Sequence, residues 1–147
     1  MYSYSKLSVI VVSVFGIASS ALAAPVETSS NSTLVARGPF DVHNGWATWY
    51  NPSEDIGACG EKHNDNELVA AIGHTLYKDM MVDGNPNHGK ACGKTAKVTW
   101  KGKSVNVKIV DMCMACGYND IDLSPAAFRK LAPQSVGKLT GTSWKFN

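Results

Sequence analysis

Within the stretch VDMCMACGYNDIDL lie the four residues whose types and spacing suggest chemistry: Asp111, Cys113, Cys116 and Asp122. Two carboxylates can cleave a glycosidic bond when one protonates the leaving oxygen and the other activates water, about 6.5–9.5 Å apart in the inverting case. One carboxyl alone, protonated or sharing a proton, can hydrogen-bond a glycan oxygen. Either aspartate can also serve only the backbone amides of a turn and a helix start. Cys59 and Cys92 bring the cysteines to four. In a chain with a secretory leader that number favours disulfides, with three connectivities open. A zinc site would want a second C-x-x-C knuckle and a redox pair would want a βαβ context, and neither is present. His43, His63, His74 and His88 share no ligand spacing and read as scattered loop residues. No metal and no cofactor is expected.

These residues need elements to hold them. Val105, Val107 and Ile109 alternate with Asn106 and Lys108, the pattern of a half-buried strand that delivers Asp111 at its end. Cys113 and Cys116 close a tight loop through Gly117. Ile121 and Leu123 then bury on either side of Asp122, which points the other way. Ser124-Pro125 reads as the N-cap and first residue of a helix with Ala127, Phe128 and Leu131 on its apolar face, ending before Pro133. This arrangement turns Asp111 and Asp122 toward one groove.

Upstream, Trp46 to Tyr50 is a β-favouring run that stops at Asn51-Pro52. Residues 51–66 have the composition of a loop, pinned by Cys59. Leu68 to Ile72 fits a one-turn helix or a buried strand equally well by periodicity, and residues 83–89 form a loop. Ala96, Val98 and Trp100 alternate with Lys97 and Thr99, and Lys101-Gly102-Lys103 turns the chain into the Val105 strand. Gly137 to Phe146 returns as a last strand containing Leu139 and Trp144. Trp46, Trp49, Tyr50, Trp100 and Trp144 are the side chains on which sugar rings can stack, although alternation must bury part of the Trp46–Tyr50 run.

Lys6, the apolar run Leu7 to Ile17 and the small-x-small Ala21-Leu22-Ala23 read as a signal peptide over residues 1–23. The run is too short for a preferred membrane anchor. Residues 24–40 are rich in Ser and Thr and read as a disordered leader, with a glycosylation sequon at Asn31 and a candidate processing site at Arg37. Residues 41–147 remain for one domain. Loss of Lys6 takes the formal charge of +2 to +1, which is no nucleic-acid footprint. Lys94, Lys97, Lys101, Lys103 and Lys108 read as solvated strand faces, with a mildly cationic surface for an acidic polysaccharide as the other reading.

VDMCMACGYNDIDLSPAAF resembles the segment of double-psi β-barrel proteins in which a strand-end Asp precedes a turn and a second Asp sits in D-L-S before a helix. Expansins, barwin-like and rare lipoprotein A-like proteins have this pattern, and small secreted fungal members are the most similar. GWATWY at residue 45, GACG at residue 57 and ACGKTAKV at residue 91 fit the same pattern in order. The resemblance implies an all-β fold, a six-stranded double-psi β-barrel with one or two short helices, in which Leu68–Ile72 is a strand and His74–Lys78 a helical turn. It implies pairing of Cys59 with Cys92 and of Cys113 with Cys116. A disulfide between Cys59 and Cys92 would close a loop of about 34 residues, worth roughly 3–4 kcal/mol.

By the same resemblance Asp122 matches the groove Asp, Asp111 its strand-end partner, and Thr48 and Tyr50 stand near the groove's first-strand positions. Hydrolases sharing the barrel place a base on the first strand, where this chain has none. The implied function is therefore a secreted, extracellular, non-hydrolytic module that binds polysaccharide or modifies cell walls. One alternative is an inhibitor of cysteine proteases or a host-interaction protein. Another is a lytic transglycosylase using Asp122 as general acid. The expected partner is a cell-wall polysaccharide or an extracellular protein, with no nucleic acid and no membrane after signal cleavage, and the module is expected to be a monomer.

Overall fold

The computed structural model describes residues 38–147. The expected signal peptide, the sequon at Asn31 and Arg37 lie outside them. Alternating apolar residues organise six strands: β1 (His43–Trp49), β2 (Val69–Gly73), β3 (Thr95–Trp100), β4 (Lys103–Cys113), β5 (Ile121–Leu123) and β6 (Leu139–Phe146). They close into a barrel in the order β1-β5-β2-β4-β3-β6. The β1/β5 and β2/β4 pairs are parallel and the others antiparallel. This closed six-stranded barrel with two short helices matches the expected double-psi architecture.

Helix α1 (His74–Asp79) follows β2 directly, so Leu68–Ile72 resolves in favour of the strand, with Leu68 left outside it. Helix α2 (Pro125–Leu131) starts as its sequence dictates. The Ser124 hydroxyl accepts from the Ala127 amide at 3.2 Å, with Pro125 at the first helical position. The β3–β4 turn uses Lys101 and Gly102, both at positive φ (45° and 79°), a geometry that matches the twist of the flanking strands.

The interior is filled by alternate residues of every strand. Val98, Val107, Ile109, Ile121, Leu123, Leu139 and Trp144 are buried, with Phe128 and Leu131 of α2 packed on the same core. Each fully buried large side chain contributes about 1.5–3 kcal/mol. Three expectations are corrected. Trp144 is 1 % exposed, so it is core and not a sugar platform. His43 is not a loop residue: it lies in β1, 1 % exposed, stacked on Trp144 at 4.2 Å. Its ring nitrogens lie 3.1 Å from Asn119 Oδ1 and from the Pro39 carbonyl. His74 likewise belongs to a helix, as the first residue of α1. Gly38–Phe40, at the end of the expected leader, already engage the barrel, with the Phe40 ring tilted at 60° against Phe146, centroids 5.7 Å apart.

Candidate functional site

Strand register assembles the site. Thr48 of β1 pairs with Asp122 of β5, Asp122 with Ala71 of β2, and Ala71 with Asp111 of β4. One row thus crosses four strands on the outer face of the barrel, and strand spacing sets the Asp111 and Asp122 backbones about 9–10 Å apart. A register shift in the β2/β4 pairing between Ala70 and Ala71 helps bring Asp111 into it. Ala70 pairs with core Ile109, whereas Ala71 pairs with Asp111, leaving Val110 as the extra residue. Trp46, Thr48 and Tyr50 alternate on one side of the β1 chain, with Ala47 buried between the first two.

Asp122 is half-buried, and its Oδ1 accepts from the Thr48 hydroxyl at 2.7 Å. Burial pushes its carboxyl above the ordinary range. The Thr48 hydrogen bond and the Leu123 amide oppose that rise, and the charge of Asp111 adds to it. Tyr50 lies near both acids. Burial, then Asp111, then Asp122 raise its phenol well above the usual value, so it stays protonated. Its hydroxyl is buried and has no hydrogen-bond partner among the described residues. A buried donor of this kind costs free energy until something accepts from it.

Asp111 has another duty. Its Oδ1 accepts from the amides of Ala58 and Met112, each at 2.7 Å, and so pins the loop that carries Cys59. The cysteines pair Cys59 with Cys92 and Cys113 with Cys116. Cys113 Sγ lies 4.0 Å from Asp122 Oδ2. These two sulfurs and the Asp122 carboxylate are clustered closely enough to suggest a metal, but sulfurs bonded to each other offer no thiolate. Gly73 lets this turn close, because a Cβ there would collide with the Gly117 carbonyl oxygen.

Sequence reasoning assigned Asp111 and Asp122, and by resemblance Thr48 and Tyr50, to one groove; strand register sets Thr48, Asp122 and Asp111 in one row, with Tyr50 near both acids. It missed Asp120, which accepts from the Trp46 amide at 3.0 Å and the Gly117 amide at 2.9 Å and so ties the loop before β5 to β1. The turn-forming run Gly117-Tyr118-Asn119-Asp120 marks a loop there, but no local signal announces the long-range bond to Trp46. Among the stacking candidates, Trp46 stands two residues from Thr48, with Lys138 Nζ 4.1 Å from its ring centroid. Trp49 is 38 % exposed and donates to the Gln134 carbonyl, while Trp100 is half-buried. Among the described residues no histidine hydrogen-bonds to Asp122 or Tyr50. A surface depression of about 500 Å³ between Leu68, Asn66 and Arg129 and Lys130 of α2 includes no residue of the row.

Residues 42–142 match the family model described as lytic transglycolase. A papain inhibitor from Streptomyces mobaraensis is 35% identical over 66% of this chain and 66% of its own length. Expansin-like protein 3 from Dictyostelium discoideum is 38% identical over 72% of this chain but 33% of its own length. The chain therefore spans only about a third of that relative and just under two thirds of the inhibitor. Among solved structures, the Streptomyces papain inhibitor superposes with a TM-score of 0.66 at 33% identity, covering 75% of this chain and 98% of that one. A Clavibacter michiganensis expansin superposes with a TM-score of 0.59 at 23% identity, covering 73% and 50%, a likeness of fold.

Proposed function

The chain belongs to the double-psi β-barrel family whose model is described as lytic transglycolase, and from that membership we propose a secreted, non-hydrolytic polysaccharide-binding module of the expansin-like kind. The observation that carries this reading is the Tyr50 hydroxyl, protonated, without a hydrogen-bond partner among the described residues, and near enough to Asp111 and Asp122 for both charges to raise it. Together with Asp122 it offers a sugar a donor and an acceptor side by side. Thr48 holds the Asp122 carboxyl in place. Because burial raises the Asp122 carboxyl, a protonated fraction can also donate to a glycan oxygen.

Hydrolysis needs more than this. β1 carries no carboxylate, and Asp111 stands on the same wall as Asp122 with Oδ1 engaged by two amides. β1 therefore offers no second carboxylate to activate water for Asp122. The chain then binds and loosens without cutting.

The test is retention on cellulose, chitin, β-glucan and peptidoglycan, comparing the unmutated protein with Asp122→Asn and Tyr50→Phe. Retention lost in both folded variants, with no reducing ends released by any of the three, is the expected result. Reducing ends released steadily and abolished in Asp122→Asn would overturn the non-hydrolytic reading. Clearing of a peptidoglycan suspension that depends on Asp122 would favour the transglycosylase. A second reading, an inhibitor of papain-like proteases, is favoured by the similarity to a papain inhibitor whose solved chain this one covers to 98%. Loss of papain activity at stoichiometric protein, with glycan binding absent, would move the assignment there.

A further inference from the structure

The far side of the barrel carries a different surface. β3 and β6 sit opposite the β5/β2 wall in the cyclic strand order and contain no acidic residue. Lys97 and Lys145 are direct cross-strand partners, both exposed. Among the described residues neither has a carboxylate within 4.0 Å. Like charges placed directly opposite destabilise a sheet. This pair sits beside a depression of about 280 Å³ whose other lining includes Thr99, Ser143 and Val42.

The neighbouring row along the strands is wholly polar. Asn44 pairs with Ser143, Ser143 with Thr99, and Thr99 with Ser104, so amide and hydroxyl groups cross four strands over about 14 Å. We propose that this β1-β6-β3-β4 face is a second binding surface, for an anionic polysaccharide whose carboxylates sit between Lys97 and Lys145 while the polar row hydrogen-bonds its sugar hydroxyls. Charge complementarity selects the occupant's sign. Val42 is the one exposed large apolar side chain in the lining of the depression, and two lysines beside it argue against a protein interface, whose core is depleted of charge and rich in aromatic groups. A formal net charge of only +2 and the absence of a stacking aromatic from this row argue against nucleic acid. The surface is independent of the Asp122 groove and goes beyond it: one molecule would hold a neutral chain on one wall and an acidic chain on the other.

The probe is polygalacturonate, with fully methyl-esterified pectin as the uncharged control and polyglutamate as the charged non-sugar control. The unmutated protein is expected to be retained on polygalacturonate and on neither control. Lys97→Gln/Lys145→Gln should weaken retention about tenfold, as should raising salt from about 50 to about 300 mM. The double variant relieves a like-charge contact on an exposed face, so its melting temperature should hold or rise. Asp122→Asn should bind polygalacturonate unchanged, which keeps this inference separate from the fate of the groove. Equal retention on esterified pectin, equal retention on polyglutamate, or an unaffected double variant would overturn it.

Discussion

Replacing Asp111 separates a structural carboxylate from a ligand-binding one. Asp111→Ala removes the acceptor of two backbone amides, Ala58 and Met112, each bonded at 2.7 Å in a partly buried setting. Hydrogen bonds to a charged group contribute about 1.5–3 kcal/mol each, and partial exposure places both at the lower end, so the loss is about 3 kcal/mol. Against the roughly 5–15 kcal/mol that stabilises a typical domain, that is a large fraction. At about 4 °C per kcal/mol for a domain of this size it lowers the melting temperature by about 12 °C. With a urea slope of about 2 kcal/mol/M the midpoint falls by about 1.5 M. Asp111→Asn keeps an oxygen for the amides and should lose only about 1 kcal/mol. Urea unfolding followed by tryptophan fluorescence measures both. Glycan retention by the folded Asn variant should persist, because the groove contacts assigned to Tyr50 and Asp122 are intact. The reasoning is refuted if Asp111→Ala loses less than about 1 kcal/mol, or if Asp111→Asn keeps full stability and loses all glycan retention.

The Asp122 carboxyl is raised in the fold, so its contribution to stability is full below about pH 3.8 and declines as pH rises through the folded value. Asp122→Asn should abolish that slope and be at least as stable at neutral pH, which urea midpoints across a pH series would show; a steeper slope in the variant would contradict the assigned cause. Ile109, fully buried, should lose roughly 2–5 kcal/mol on replacement by Ala, and a loss under about 1 kcal/mol would mean that its cavity collapses. Replacing Cys59 and Cys92 together with Ser opens a link between residues 33 apart and should cost about 3.8 kcal/mol in the chain-entropy model, against about 1.9 for Cys113 and Cys116, separated by 3. Comparable losses from both pairs, measured by thermal unfolding, would show that geometry outweighs loop length.

What could be read from residues alone was local. The Val105–Ile109 alternation, the Ser124-Pro125 helix start and the Lys101-Gly102 turn each depend on side-chain direction or backbone freedom within a few positions, and all three appear in the structure. The histidines show where such reading stops. His43 has no sequence neighbour that announces burial, and it is core because Trp144, on a strand a hundred positions away, stacks on it. Trp144 was a plausible sugar platform for the same reason: a tryptophan's exposure is set by its neighbours across the barrel. Family pattern, and not periodicity, tied Thr48 and Tyr50 to the groove and paired the cysteines.

Tertiary structure alone decided which groups meet. The Thr48 to Asp122 hydrogen bond joins residues 74 apart, and it forms because parallel pairing of β1 with β5 sets that register. A shift of one residue would turn Asp122 into the barrel. The same holds for Asp111, which is bonded to the Ala58 amide 53 residues away, and for Lys97 and Lys145, two unremarkable lysines until β3 and β6 lie side by side. Composition and alternation specify that strands form and which face of each is apolar. Register between distant strands is settled only when the whole barrel closes, since each pairing is held by the packing of all the others.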